Sequence, residues 1–255
     1  MKSPRLYIGF FSFALLLGHC EANAIQPVLV ERCADPSVDL TSNESFLKAV
    51  KDSPRIARVV GTQSRLLLRL LLLGGENPNV CALAFGSSAL SISVESGDLE
   101  EVRLLLDNGA HPDKPLDYGG GTPLFSALSF AHYDIARLLL SKGANARHIS
   151  DAGLTALHAL ALGSRTENSK VREQQIALAQ QLISLGLSVD VRDVITTTPL
   201  ILAVVAENRD LAAYFLSKGA NANARNKRGQ TALDYAKQKQ RDDIVKLLRE
   251  HGAKP

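Results

Sequence analysis

The chain has no tryptophan, one methionine and three cysteines in 255 residues, and aromatic side chains make up only 5%. So thin an aromatic supply argues against a surface built to stack bases or sugars. An excess of one charge sign is missing too: 29 basic against 26 acidic residues leave a formal net charge of +3. A dedicated nucleic-acid binder carries a stronger basic excess, or one gathered into a patch. Glycine (18) and proline (10) are too few for a collagen-like or low-complexity chain. With 45% hydrophobic and 22% charged residues, what is left is an ordinary folded protein of one or two domains.

Signatures of chemistry are also scarce. No G-x-S-x-G, P-loop or G-x-G-x-x-G pattern occurs. Gly119-Gly120-Gly121 lacks a preceding strand pattern and a lysine at phosphate-loop spacing, so it reads as a loop. The histidines at 111, 132, 148, 158 and 251 form no H-E-x-x-H or H-x3-H pair. Asp190 and Asp193 are too few for a calcium loop, which needs several oxygen ligands at fixed positions. The expectation is a non-enzyme without cofactor or metal; the alternative is an enzyme or metal-binding protein built on the same framework.

Long apolar runs are confined to the start. Lys2 and Arg5 precede an apolar stretch from Leu6 to Leu17, and Ala22-Asn23-Ala24 follows. A basic start, about a dozen apolar residues and an A-x-A site describe a secretory signal peptide, here residues 1–24. Export, with the bacterial periplasm as compartment, follows as an expectation. The alternative is a lipoprotein anchored through Cys20, although His19 is larger than the small residue usual before a lipidated cysteine. Leu66 to Leu73 holds seven leucines around Arg69 but is far too short to cross a bilayer. It reads as a buried helix, so no membrane span is expected. Cleavage leaves Cys33 and Cys81. In an exported protein this even count permits a disulfide strapping an N-terminal arm, residues 25–41, over one end of the fold; two free thiols are the alternative.

What the chain does have is a period. Gly75, Gly109, Gly143, Gly186, Gly219 and Gly252 are separated by 34, 34, 43, 33 and 33 residues. Each closes a leucine-rich run such as Val102–Ala110 or Ile135–Ala144. Upstream lie Thr122-Pro123-Leu124, Thr155-Ala156-Leu157-His158, Thr198-Pro199-Leu200 and Thr231-Ala232-Leu233, with Ser88-Ala89-Leu90 a degraded fifth. A Ser or Thr hydroxyl caps a helix, proline suits the first helical position, and glycine ends a helix in the left-handed conformation. The unit is therefore helix, turn, helix, hairpin-like loop. The longer interval places about ten extra residues, 163–174, between the helices of one unit.

These motifs resemble the ankyrin repeat, whose consensus carries T-P-L-H-x-A and a leucine run ending in G-A. The resemblance implies an all-α solenoid of five clear repeats plus a degraded N-terminal one. The approximate repeats are 42–75, 76–109, 110–143, 144–186, 187–219 and 220–255. It also implies non-catalytic binding of a protein partner through loop tips and inner helices. Carried over by position, the candidate contacts are Tyr118, Phe130, Arg147, His148, Arg192, Ile195, Leu202, Arg225, Arg228 and Tyr235. The basic loops suggest a partner with an acidic surface. An inhibitor or immunity-type protein and a scaffold or stabiliser both fit, monomeric when unbound, without nucleic acid.

Overall fold

The computed structural model describes residues 65–82, 87–114, 120–163 and 168–254. The expected signal peptide, the arm, Cys33, Tyr118 and most of the first repeat lie outside the described residues. Eleven helices are described: α1 Arg65–Leu73, α2 Ala89–Ser96, α3 Leu99–Asp107, α4 Pro123–Ser129, α5 Tyr133–Ser141, α6 Ala156–Leu162, α7 Ser169–Ser184, α8 Pro199–Val205, α9 Arg209–Ser217, α10 Ala232–Gln238 and α11 Asp242–Glu250. Before α2, two-residue strands β1 (Cys81–Ala82) and β2 (Ser87–Ser88) pair antiparallel, which places Cys81 in the loop ahead of that helix, as the spacing predicts.

The helices alternate between two rows. Short helices α2, α4, α6, α8 and α10 pack side by side as an inner row, and α1, α3, α5, α7, α9 and α11 form an outer row. The core lies between them: Leu90, Leu105, Leu124, Leu139, Leu157, Leu160, Leu182 and Phe215 are at most 1% exposed. Complete burial of such a side chain is worth about 1.5–3 kcal/mol. No single helix pair has enough apolar surface on both sides to close its own core, so stability comes from stacking.

Local chemistry sets each boundary. Thr122, Thr198 and Thr231 accept bonds from the third residue into α4, α8 and α10, with proline opening α4 and α8. Asp98, Asn168 and Asn208 cap α3, α7 and α9. The outer helices stop at glycines with φ from +82° to +92°. There Gly109 donates to Leu106 O and Ala110 to Leu105 O, and the 143/144, 219/220 and 252/253 pairs repeat the pattern. Only a left-handed residue lets both donors turn back onto the last carbonyls.

The extra residues are not simply a loop between helices. From Ser169 onward they lengthen α7 to 16 residues, against 9 in α3, α5, α9 and α11. Asn168 caps the extension, which reaches both neighbours. Arg172 Nη1 meets Asp210 Oδ2 at 2.9 Å, and Gln174 Nε2 donates to Asp134 Oδ1 at 3.2 Å. Beneath them Gln175 is 1% exposed, donates to Leu160 O and accepts from Asn208 Nδ2 at 2.8 Å.

Candidate functional site

Successive hairpin loops, at residues 150–154, 193–197 and 226–230, line one edge of the stack. In each the first residue's N–H meets the fifth residue's carbonyl: Ser150 with Leu154, Asp193 with Thr197 and Asn226 with Gln230. The tips also bond to one another, Val194 N to Ala152 O at 3.0 Å and Lys227 N to Ile195 O at 2.9 Å. Their backbones thus form one continuous ribbon, and side chains of equivalent phase stand in register along it.

A second ladder runs along the base of these loops. Asn79 Oδ1 accepts from His111 N, Asp113 Oδ1 from Asn145 N, Asp190 Oδ1 from Asn221 N and Asn223 Oδ1 from Lys254 N, at 2.7–2.9 Å. Asn79 and Asn223 also donate to Gly109 O and Gly252 O. Each bond ties the start of a repeat to the backbone at or just after the glycine turn that closes it. The remaining rung, third in chain order, is Arg147, whose Nε donates to Leu185 O at 2.9 Å. A Cβ on Gly186 would lie 2.5 Å from its Nη2, so the guanidinium occupies the space above that glycine.

The candidate contacts divide on this geometry. Leu202 is 5% exposed and belongs to the core, because the face of α8 that carries it packs against α6 and α10. It is not available to a partner, and the sequence assignment is corrected here. Arg147 is exposed but is a rung of the ladder. His148 is half-buried, with Nε2 2.5 Å from Gly120 O, so it joins two loops. Tyr235 is half-buried; its hydroxyl donates to Gln230 Oε1 and accepts from Asn226 Nδ2. Arg192, Arg225 and Arg228 are exposed at the tips, and Ile195 is half-buried between them. Arg225 Nη1 donates to Gly229 O, which holds its stem along its own hairpin. Phe130, 39% exposed, stands apart at the far end of α4.

The carboxylates near these cations serve the backbone. Asp193 Oδ1 accepts from Ile195 N and Thr197 N, and Asp190 from Asn221 N. Two exposed apolar side chains lie on the same strip: Val194, 53% exposed, at a loop tip where the repeat phase puts it, and Ile149, 61% exposed, which escaped the sequence-based selection. The signal for Ile149 was an aliphatic residue at a phase where the later repeats have Arg192 and Arg225.

His158 is fully buried and works inside the stack. Its Nδ1 accepts from Thr155 N at 3.2 Å, so the proton is on Nε2, which donates to Thr197 O at 3.1 Å. Burial pushes its pKa below the ordinary histidine value. Burial likewise lowers His132, at the entry to α5. No cluster of three or more His, Cys, Asp or Glu side chains able to hold a metal lies among the described residues. None of the helices there is long and apolar enough to cross a membrane.

Comparison with known proteins agrees with this architecture. A family model described as "Ankyrin repeats (3 copies)" matches residues 57–150 and 168–255. A putative ankyrin repeat-containing protein of Treponema pallidum is 38% identical over 106 residues, 41% of this chain and 36% of that protein. A putative ankyrin repeat protein of Rickettsia felis is 26% identical over 63% of this chain and 70% of its own length. Ankyrin repeat and SOCS box protein 16 of mouse is 30% identical over 66% of this chain. The chain spans only about a third of the length of the Treponema and mouse proteins.

Proposed function

The chain belongs to the ankyrin repeat family, and from that premise we propose that it is a non-catalytic module binding one protein partner outside the cytosol. Repeats of this family are in general protein-interaction modules and are in general not enzymes. The observation that carries the reading is the ribbon of hairpin tips, which are held in register by backbone bonds and present Arg192, Arg225, Lys227 and Arg228 together to solvent. A preordered surface loses little conformational freedom on binding. Cations gathered there steer an acidic partner surface onto it. The basic, apolar and A-x-A start supports export to a bacterial periplasm, and the two bacterial relatives are consistent with a bacterial chain.

An inhibitor or immunity-type role and a scaffold role make the same use of this surface. The test is capture from a native periplasmic extract under non-reducing conditions, with mass spectrometry of what is retained. A variant with Arg192, Arg225 and Arg228 changed to glutamate serves as control. One dominant partner, lost in the control, is expected. Loss of the partner's own activity in the complex marks an inhibitor, and its retention marks a scaffold. A well-folded chain that retains nothing refutes the reading.

A further inference from the structure

The hairpin at 193–197 departs from its neighbours in two independent ways. Its fourth residue, Thr196, has φ +60°, whereas the equivalent positions are Gly120, Gly153 and Gly229 with φ +65° to +74°. A β-branched residue in the left-handed region is strained, and here Thr196 Oγ1 donates to Arg225 O of the next hairpin at 3.3 Å, a bond that glycine cannot make. Its second residue, Val194, is 53% exposed, yet the equivalent residues in the hairpins on either side are Asp151 and Lys227.

The tips therefore form a graded strip. At the phase of Val194 the side chains run from Asp151 through Val194 to Lys227; at the next phase, from Ala152 through Ile195 to Arg228. One phase earlier than Asp151's neighbour Ser150 lies Ile149, 61% exposed, followed by Arg192 and Arg225 in the later hairpins. The strip carries its exposed aliphatic side chains, Ile149 and Val194, at 149–195, where Asp151 and Arg192 stand beside them, and is cationic at 225–228. Asp190 and Asp193 each turn a carboxylate oxygen onto backbone N–H groups of the loops.

We propose that this strip is a docking site for an extended acidic segment of the partner that carries aliphatic side chains, aliphatic residues over Ile149 and Val194 and carboxylates over Lys227 and Arg228. This rests on the protein-binding reading above and specifies the partner's chemistry. The gradient fixes the direction of the segment, because Asp151 repels carboxylates from the aliphatic end. Neighbouring hairpins follow helices packed about 8–10 Å apart. An extended chain rises about 3.3 Å per residue, so successive contacts recur every third residue. A protein segment fits better than an anionic membrane surface, since the tips described carry no aromatic anchor of the sort that seats a loop among lipid headgroups.

The test pans a random twelve-residue peptide library against the purified protein. The best peptide is then measured by fluorescence anisotropy, with circular dichroism confirming the fold of every variant. Expected are enriched peptides with an aliphatic residue three or six positions from a carboxylate. Val194→Asp, and separately the pair Lys227→Glu with Arg228→Glu, each weaken binding at least tenfold. Arg103→Glu, on the outer row, leaves it within twofold. Enriched peptides without acidic and aliphatic character, or insensitivity to Val194→Asp, overturn the proposal. So does the absence of any enrichment. Val194-dependent binding to phosphatidylglycerol vesicles instead of peptides overturns it in favour of a lipid surface. A peptide bound through another face removes this site but leaves the protein-binding reading standing. That reading falls only if capture from extract is also empty.

Discussion

Replacing Gln175 by leucine removes the joint through which the lengthened helix is fastened to its own inner helix and to the following repeat. The side chain is 1% exposed, donates to Leu160 O at 3.0 Å and accepts from Asn208 Nδ2 at 2.8 Å. Asn208 in turn caps α9 by accepting from Leu211 N. Leucine has nearly the same volume, so no large cavity forms. What remains is a buried carbonyl and a buried amide without these partners. Each costs about 1–3 kcal/mol, partly offset by the gain from burying an apolar side chain. The net destabilisation is about 2–4 kcal/mol. At about 2–4 °C per kcal/mol for a domain of this size, the midpoint falls by roughly 5–15 °C. Urea unfolding followed by far-ultraviolet circular dichroism measures it, and hydrogen exchange at 160–163 and 208–211 localises it. Glu173→Ala, exposed on the same helix, is the control and stays within about 0.5 kcal/mol. A Gln175→Leu effect as small as the control's refutes the joint.

Three further outcomes follow from local geometry. Because burial holds His158 and His132 below their unfolded pKa of about 6.5, the unfolded chain takes up protons first. Stability is therefore complete above pH 6.5 and declines as pH falls below it; a urea midpoint equal at pH 7.5 and 5.5 contradicts this, and His158→Gln should flatten the slope. Gly97→Ala should destabilise by about 2 kcal/mol or more, since the added Cβ lies 2.6 Å from the His132 ring at φ +75°; an unchanged melting temperature refutes it. Thr196→Gly releases about 1–2 kcal/mol of left-handed strain, adds about 0.5–1 kcal/mol of unfolded-chain entropy and loses the Thr196 Oγ1–Arg225 O bond, worth about 0.5–1.5 kcal/mol. The net change should lie within about 1 kcal/mol of zero, and a larger loss in urea unfolding contradicts the strain.

Much of the fold is legible because the repeat forces the same local solutions several times. A Thr cap, a leucine run and a left-handed glycine are each weak signals alone, but they recur in phase, and the structure places helices where that phase requires. The lengthening of α7 was less legible, since Ser169 to Gln174 is polar apart from Val171 and resembles loop until Asn168 caps it. Side-chain roles at the binding edge were the hardest to read. Arg147 and Leu202 carry the right chemistry at the right phase, but long-range packing decides their use. Arg147 replaces an Asx rung and reaches Leu185 O, 38 residues away in sequence, while Leu202 turns inward between neighbouring helices. Conversely Ile149 looks like a core residue by type and is exposed because the hairpin has no layer beyond it.

Hydrogen exchange of the chain in complex with its captured partner tests the central claim most directly. Slowed exchange confined to the hairpin tips at 149–153, 192–196 and 225–229, with the outer helices α3, α5 and α9 unchanged, is the predicted result. Protection on those outer helices with the tips exchanging freely would contradict it.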